Sequence, residues 1–397
     1  MLREGVPLSG YTTLRLGGPA ARLTEARTAD EVVAAVREAD AAGEPLLVLG
    51  GGSNLVVSDE GFPGTVLRVT TTGIAVREAG ERVLLTVAAG ENWDRLVEWS
   101  VAEKLAGLEC LAGIPGLAGA TPIQNVDAYG QEVAATITAV TVLDRDTGAV
   151  TTLAGGDCGF GYRTSRFKRT PWPSRPPGPG AGPPGPRAAS PGPGAGPPGS
   201  GIAPTGRYVV LDVTFALERD PMSVPVRYSE LAARLGVPHG DRAPLADVRA
   251  AVLELRRGKG MVLDPADPDT ASAGSFFTNP VLGRAEIARL ERIASARRPG
   301  ARVPAYPVGG GASPGGREGS GHVKVPAAWL IEQAGFGKGY PGHGTARISS
   351  KHTLALTNAG GASAADLIGL AREIVAGVRS AFGIELVNEP VLVGLAL

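Results

Sequence analysis

Apolar positions in the first half of the chain alternate between helical and strand spacing. Thr28 and Glu31 form the pattern of a capping box, and Gly43 is the predicted end of the helix that it opens. The apolar run at 45–49 follows and predicts a buried strand. The same reasoning predicts further strands at 66–69, 83–88, 137–143, 149–153 and 208–217. Asn92 is the expected cap of a helix in between.

The spacing changes near residue 220, and helical patterns dominate the rest of the chain. Helices are predicted at 244–257, 284–296, 326–334 and 364–382. Ser363 is a suitable cap for the last of these, and Gly383 a suitable stop. We therefore predict an α+β N-terminal domain over residues 1–219 and a C-terminal α/β domain over residues 220–397.

Two stretches have a composition that interrupts this pattern. Residues from about 171 to 205 are almost entirely Pro, Gly, Ala, Ser and Arg, and residues from about 309 to 321 are rich in Gly and Ser. Neither stretch has enough apolar surface to offset the entropy lost on ordering. We predict that both are disordered insertions, the first within the N-terminal domain and the second within the C-terminal domain.

Charge and rare residues exclude several classes of protein. The 397 residues carry 39 basic and 39 acidic side chains, without a basic patch interleaved with aromatics, so a nucleic-acid surface is not expected. The two cysteines and four histidines lack metal-ligand spacing, so no metal site is expected. No apolar run is long enough to cross a bilayer. We expect a cytoplasmic monomer that does not bind membranes.

A glycine turn stands directly behind the predicted strand at 45–49. It consists of Gly50, Gly51, Gly52, Ser53 and Asn54. Glycine permits unusual backbone angles and close approach of a ligand, so consecutive N–H groups there are able to face a phosphate. The turn matches neither the Rossmann fingerprint nor the P-loop. On its own, a plain tight turn explains it equally well.

A second glycine-rich segment, 113–130, makes a cofactor site more credible. It contains Gly116 and the amides of Gln124 and Asn125, which are able to donate to phosphates or to flavin carbonyls. Two such loops together are able to hold an extended cofactor with two phosphates.

Two further segments carry candidate chemistry. Arg163, in the segment 161–168, has a guanidinium suited to a carboxylate or a developing oxyanion, although a surface salt bridge is the simpler reading of one arginine. Ser275 and Asn279 flank two phenylalanines. Ser275 lacks a neighbouring histidine to make it a nucleophile, but it is able to pass a proton to a carbanion. A polar cap is the simpler reading of this serine.

Taken together, these segments resemble the UDP-N-acetylenolpyruvoylglucosamine reductase family, the flavoenzymes of peptidoglycan precursor synthesis. The resemblance runs nearly end to end. It rests on residues 11–18 (YTTLRLGG), 49–55 (LGGGSNL), 113–130, 162–168 (YRTSRFK), 274–280 (GSFFTNP), 327–335 (AAWLIEQAG) and 386–394 (LVNEPVLVG). The local sequence around Tyr228 suggests the longer subfamily.

The resemblance implies a fold and a reaction. The fold is a two-lobed FAD-binding domain of the vanillyl-alcohol-oxidase type joined to a substrate-binding domain. FAD is held non-covalently, with its pyrophosphate near the glycine turn 50–54 and the loop from Gly116 to Gln124 and Asn125. NADPH reduces the flavin, and flavin N5 then delivers a hydride to UDP-N-acetylglucosamine enolpyruvate. The product is UDP-N-acetylmuramate.

The resemblance also assigns roles to individual side chains. Arg163 and Glu389 stabilise the intermediate, and Ser275 donates the proton. The residues expected to bind the substrate are Tyr228, Lys259, Asn279 and Gln333.

Two residues depart from the pattern of the family. Pro390 follows Glu389 where many members have valine, and Asp127 places a charge where a small residue is common. Two other functions stay open: an FAD-dependent alcohol or sugar oxidase of the same fold, and an inactive protein that binds a UDP-sugar or flavin.

Overall fold

The computed structural model describes residues 2–169, 205–307 and 321–397. The two predicted insertions fall almost wholly between these ranges. Residues 171–204 of the first and 309–320 of the second lie outside the described residues. The prediction that they are disordered therefore stays a prediction.

The first helix, Ala29–Ala42, begins and ends where the sequence predicts. The hydroxyl of Thr28 accepts a hydrogen bond from the N–H of Glu31, and Gly43 ends the helix in the left-handed conformation with φ of 65°. In the reciprocal bond of the capping box, the donor is not the expected N–H of Thr28. The Glu31 carboxylate accepts from the N–H of Arg27 at 2.6 Å. The buried face of the helix is the predicted one, Val32, Val33, Val36 and Ala39.

The predicted strand behind this helix lies at the edge of a four-stranded sheet. Leu46–Leu49 pairs in parallel with Phe62–Val69, which pairs in parallel with Pro19–Ala26, and Arg3–Pro7 completes the sheet. Because Leu46, Leu47 and Leu49 are buried, the strand is fixed firmly. The position of the glycine turn at its carboxyl end is fixed with it.

A second, six-stranded sheet is entirely antiparallel. The long strand Tyr208–Arg219 lies at its centre, between Ile137–Asp144 and Arg82–Ala88. The outer strands are Ala149–Ala154, Ile74–Ala79 and the short Leu105–Ala106. The predicted hairpin of 137–143 with 149–153 is confirmed by the antiparallel pairing of Ile137–Asp144 with Ala149–Ala154.

The remaining predicted helices lie where the sequence places them, whereas three short helices, Thr121–Gln124, Arg166–Arg169 and Ser229–Leu235, were not predicted. Asn92 caps one of the predicted helices by accepting from the N–H of Arg95. Ser363 and Asp366 form a complete capping box at the start of the longest one. The helices are Trp93–Ala102, Thr121–Gln124, Arg166–Arg169, Ser229–Leu235, Leu245–Gly258, Arg284–Arg297, Ala327–Gln333 and Ala364–Phe382.

The C-terminal half also contains short strands that helical spacing does not reveal. One sheet consists of Ser272–Ser275, Ala355–Asn358 and Ala346–Ile348, and another of Val281–Leu282, Val323–Lys324 and Tyr306–Pro307. The strand Val391–Val393, near the C-terminus, pairs in parallel with Leu55–Val57 of the N-terminal half. Strands of two to four residues are too short for alternation to be recognised reliably in a sequence.

The buried apolar residues form three clusters. The first covers the six-stranded sheet and includes residues of the helices Ser229–Leu235 and Leu245–Gly258. The second surrounds the helix Ala364–Phe382, and the third lies at the four-stranded sheet, where it includes Val393. The domain boundary at residue 219 stays a prediction. Within the described ranges, no helix is both long and apolar enough to span a membrane.

Candidate active site

The glycine turn has a backbone that only glycine accommodates easily. Gly52 has φ of +61°, and a Cβ added to it would lie 1.9 Å from the carbonyl oxygen of Tyr11. Its own carbonyl accepts a hydrogen bond of 3.2 Å from the N–H of Thr13. The turn is therefore packed directly against the N-terminal segment, and a side chain at 52 would have to force the two apart.

The turn also meets the second glycine-rich loop. A Cβ on Gly51 would lie 2.8 Å from the Cα of Gly116, and the hydroxyl of Ser53 donates to the carbonyl of Pro115 at 2.9 Å. The structure thus brings together the two loops that the sequence singles out. The two loops are in direct contact with each other.

Gln124 and Asn125 follow this loop and have different surroundings. The Gln124 side-chain oxygen accepts from the Lys168 ammonium at 2.8 Å. The Asn125 amide is buried and donates to the carbonyl of Gly161 and to the carboxylate of Glu132, at 3.1 and 3.2 Å. Asn125 therefore fastens the loop to the segment that carries Arg163. Its predicted contact with a cofactor stays a prediction.

Arg163 lies in a strained turn between two carboxylates. Its backbone has φ of 50°, which is uncommon for a residue other than glycine, in a turn closed by two bonds between Gly161 and Thr164. Its Nε lies 2.9 Å from Oε1 of Glu389, and Nη1 contacts Asp127. The arginine is thus one member of a three-residue ion-pair group.

Glu389 lies beside the strand that ends at Ser275. The N–H of Glu389 donates to the carbonyl of Phe276 at 2.9 Å, and Asn388 forms an antiparallel bridge with Phe277. The strand that follows, Val391–Val393, starts with a bond of 2.9 Å from the N–H of Val391 to the carbonyl of Asn54. One short segment therefore links the strand of Ser275 to the glycine turn.

Pro390, one of the two departures from the pattern, stands inside this segment. Its carbonyl accepts from the side chain of Asn388 at 2.8 Å. The backbone donors on either side, at Glu389 and Val391, are both bonded. The missing N–H of proline therefore breaks neither of these links.

Two lysines and a tyrosine near Arg163 were given no role in the sequence analysis. Burial raises the pKa of Tyr162, and the Lys324 ammonium lies 4.6 Å from the centre of its ring. Burial lowers the pKa of Lys324, and Arg163 lowers it further. Burial also lowers the pKa of Lys168, against the opposing effect of Glu389. Lys168 donates to the carbonyl of Arg163 at 3.1 Å.

Asn279 is hydrogen-bonded to Tyr162, whereas Gln333 has no such bond to this group among the described residues. The N–H of Asn279 donates to the Tyr162 hydroxyl at 3.2 Å, and its side-chain oxygen accepts from the N–H of Ala327 at 2.8 Å. Gln333 is half-buried at the end of the helix Ala327–Gln333. Among the described residues, no hydrogen bond joins its side chain to the other candidates.

Tyr228 and Lys259 form a separate group around a third residue. Tyr129 makes an edge contact with Tyr228 at 5.3 Å between ring centres, and the Lys259 ammonium lies 5.6 Å from the centre of the Tyr129 ring. Lys259 also donates to the carboxylate of Glu230 at 2.6 Å. Tyr228 is 42% exposed, so part of its side chain is accessible to a ligand.

Comparison with known proteins identifies two families in the chain. Residues 20–154 match the family described as FAD binding domain. Residues 265–393 match the family described as UDP-N-acetylenolpyruvoylglucosamine reductase, C-terminal domain. The chain therefore has an FAD-binding domain. These matches and the mixed helix and strand content confirm the predicted α+β fold of the vanillyl-alcohol-oxidase type with a separate C-terminal domain.

Full-length relatives are similar over nearly the whole chain. The UDP-N-acetylenolpyruvoylglucosamine reductase of Thermobifida fusca is 52% identical over 99% of this chain and 98% of its own length. That of Streptomyces coelicolor is 54% identical over 98% of this chain and 90% of its own length. The crystal structure of the Thermus caldophilus reductase is 25% identical, with a TM-score of 0.58, and covers 99% of this chain and 100% of its own.

Proposed function

This chain belongs to the UDP-N-acetylenolpyruvoylglucosamine reductase family, and we propose that it reduces UDP-N-acetylglucosamine enolpyruvate to UDP-N-acetylmuramate with NADPH. The observation that carries the proposal is the ion pair of Arg163 with Glu389, held beside the strand of Ser275. An alcohol or sugar oxidase has no evident use for these three groups. The proposed cellular role is peptidoglycan synthesis in the cytoplasm, and through it cell wall biogenesis, cell shape and division.

The residues at the two glycine loops suit FAD. Side chains at positions 51 and 52 would collide with the backbone of Gly116 and Tyr11, so glycine allows the turn to pack against both of these segments. We assign the pyrophosphate to the N–H groups of the turn Gly50, Gly51, Gly52, Ser53 and Asn54, and to the loop from Gly116 to Gln124. The chemistry that bound FAD supplies is hydride transfer, from NADPH to the methylene carbon of the enolpyruvyl group.

Arg163 stabilises the charge that hydride addition creates. When a hydride adds to the methylene carbon, the electron pair of the double bond moves toward the carbon that bears the carboxylate. A guanidinium beside that carboxylate lowers the energy of the resulting enolate in a partly buried site. Glu389, 2.9 Å from Nε of Arg163, holds the guanidinium in one orientation.

Ser275 completes the reduction by protonating the α carbon. Its hydroxyl gives up a proton, the enolate collapses to the carboxylate, and the serine regains a proton from water. The hydride and the proton together saturate the double bond. The strained turn at Arg163 and the bonded segment at Glu389 keep the groups pre-organised for this step.

Substrate binding falls to the remaining candidates. We assign the uridine diphosphate to the exposed part of Tyr228 and to Lys259. The Lys259 ammonium would leave the Glu230 carboxylate and bind a phosphate instead. Asn279, fixed through its contacts with Tyr162 and Ala327, and Gln333 line the pocket of the sugar.

The product of the reaction tests the proposal. FAD-loaded protein is incubated with NADPH and UDP-N-acetylglucosamine enolpyruvate, and the nucleotide sugar is analysed by mass spectrometry. The proposal predicts that the substrate gains two hydrogens, with NADPH consumed in equal amount. Oxidation of NADPH that leaves the nucleotide sugar unchanged would contradict it. An FAD-bound protein that never oxidises NADPH would be the inactive binding protein.

A further inference from the structure

We infer that Asp127 sets the affinity of this site for carboxylate-bearing ligands. Its carboxylate contacts Nη1 of Arg163, the guanidinium that the proposed function gives to the carboxylate of the substrate. The two anions compete for one cation. The inference rests on the proposed function, and it concerns a residue that departs from the family pattern described above.

The fold holds Asp127 firmly in this place. The strand Asp127–Ala128 pairs with Gln131–Glu132, and the connecting residues Tyr129 and Gly130 have φ of 49° and 81°. Two successive positive φ angles are typical of the tight hairpin turns that fix register. The backbone of Asp127 therefore has little freedom to move away from the guanidinium.

The hairpin also makes the contact with Arg163 necessary. Asp127 lies directly opposite Glu132, and like charges in opposite positions destabilise a strand pair. The amide of Asn125 donates to Glu132 at 3.2 Å, whereas Oδ1 of Asp127 is buried against Nη1 of Arg163. The guanidinium of Arg163 is the charge that compensates Asp127.

The substrate would bring a third carboxylate to the same arginine. Glu389 and Asp127 already contact Arg163, and all three side chains are at most 25% exposed. Coulombic repulsion between charges a few ångströms apart is larger in such surroundings than in water. Lys168 offsets part of this repulsion through its attraction to Glu389. Binding of the substrate must therefore displace or outweigh Asp127.

The near-isosteric variant Asp127→Asn tests this competition. The dissociation constants of two ligands are measured by titration of the flavin absorbance of the oxidised holoenzyme: UDP-N-acetylglucosamine enolpyruvate, and UDP-N-acetylglucosamine, which lacks the carboxylate. We expect D127N to bind the first about tenfold more tightly. The affinity for the second, which offers no carboxylate to Arg163, should not change. D127A should act in the same direction.

The matched control is Glu254→Gln, which removes a carboxylate from an exposed ion pair with Arg234. E254Q should alter neither dissociation constant. Equal changes for both ligands in D127N would overturn the inference, because only the enolpyruvyl ligand carries the carboxylate. Weaker binding of the enolpyruvyl ligand would also overturn it and would show that Asp127 positions Arg163 for binding. A wild-type holoenzyme that forms no product, as tested above, would instead refute the proposed function, whatever D127N does.

Discussion

The N–H of Glu389 donates a 2.9 Å hydrogen bond to the carbonyl of Phe276, the residue that follows Ser275. Through this bond a segment near the C-terminus is tied to the strand Ser272–Ser275. The Glu389 side chain meanwhile lies against Arg163. The proposed proton donor and the proposed stabilising pair therefore share one backbone connection, although they come from three distant parts of the chain.

Replacement of Ser275 by alanine should remove the proton donor while the flavin chemistry persists. We expect kcat to fall by about 10²–10⁴-fold, the usual contribution of a positioned general acid. Reduction of the flavin by NADPH should keep its wild-type rate, because Ser275 has no proposed part in it. Stopped-flow absorbance of the two half-reactions separates these effects.

The control for this change is Ser350→Ala, because Ser350 also donates a side-chain hydrogen bond, to Asp269, but has no proposed role in the reaction. S350A should retain both rates. A normal rate of substrate reduction in S275A would refute the role of Ser275. A slower NADPH step of the same size in S275A would indicate a general distortion of the site.

Arg163→Lys should impair the substrate half-reaction even though the charge is kept. A lysine ammonium lacks the rigid planar fork of the guanidinium, so it cannot reproduce the fixed directions in which Arg163 meets Glu389 and Asp127. We expect the rate of flavin reoxidation by the substrate to fall by about 10²–10³-fold. The matched control is Arg249→Lys, since Arg249 also lies within 3.6 Å of two carboxylates, those of Asp94 and Glu98. Equal losses in both variants would contradict a specific role for Arg163.

Gly52→Ala should release FAD and destabilise the protein. The new methyl group would lie 1.9 Å from the carbonyl oxygen of Tyr11, and the residue would have to keep φ of +61°. Backbone strain of this kind costs about 1–3 kcal/mol. FAD content after purification and the urea midpoint measure the two effects. Gly156→Ala is the control, because its Cβ would meet nothing within 4 Å. Wild-type FAD content in G52A would show that the turn is not needed for the cofactor.

Acid should destabilise the protein in part through His352. Burial, assisted by Lys259, Lys338 and Arg256 against Glu230, lowers the pKa of its imidazole from 6.5 to about 4. The unfolded chain therefore binds more protons between these values, and stability falls as the pH drops from 6.5 toward 4. The contribution is fully present above pH 6.5.

The variant His352→Asn tests this pH dependence by denaturant unfolding at pH 7.5, 6 and 5. The difference in unfolding free energy between wild type and H352N should shrink as the pH falls, because only the wild type loses this contribution. His239→Asn, at an exposed position, is the control. A difference that stays constant from pH 7.5 to 5 would contradict the burial of a neutral imidazole.

Local signals in the sequence predicted the helices well. Thr28, Asn92 and Ser363 accept the N-terminal hydrogen bonds expected of helix caps, and Gly43 and Gly383 end helices in the left-handed conformation. Caps depend on a few neighbouring residues, so they can be recognised in the sequence without knowledge of the tertiary structure. The predicted helices therefore agree with the structure to within one or two residues.

Long-range pairings could not be read from the sequence in the same way. The parallel pairing of Val391–Val393 with Leu55–Val57 joins residues from opposite ends of the chain. The contact of Asp127 with Arg163 arises from a hairpin and a turn that each look ordinary alone. The resemblance to a family named Arg163 as a site residue and Asp127 as a charged departure from the pattern, but it gave no sign that the two side chains are in contact.

The most direct test of the central claim is the anaerobic absorbance of the FAD-loaded protein at the flavin band. NADPH is added first, and UDP-N-acetylglucosamine enolpyruvate second. The account predicts that NADPH bleaches the band and that the substrate restores it. A band that bleaches but does not recover would contradict the proposed substrate, and a protein that binds no FAD even after reconstitution would contradict the account as a whole.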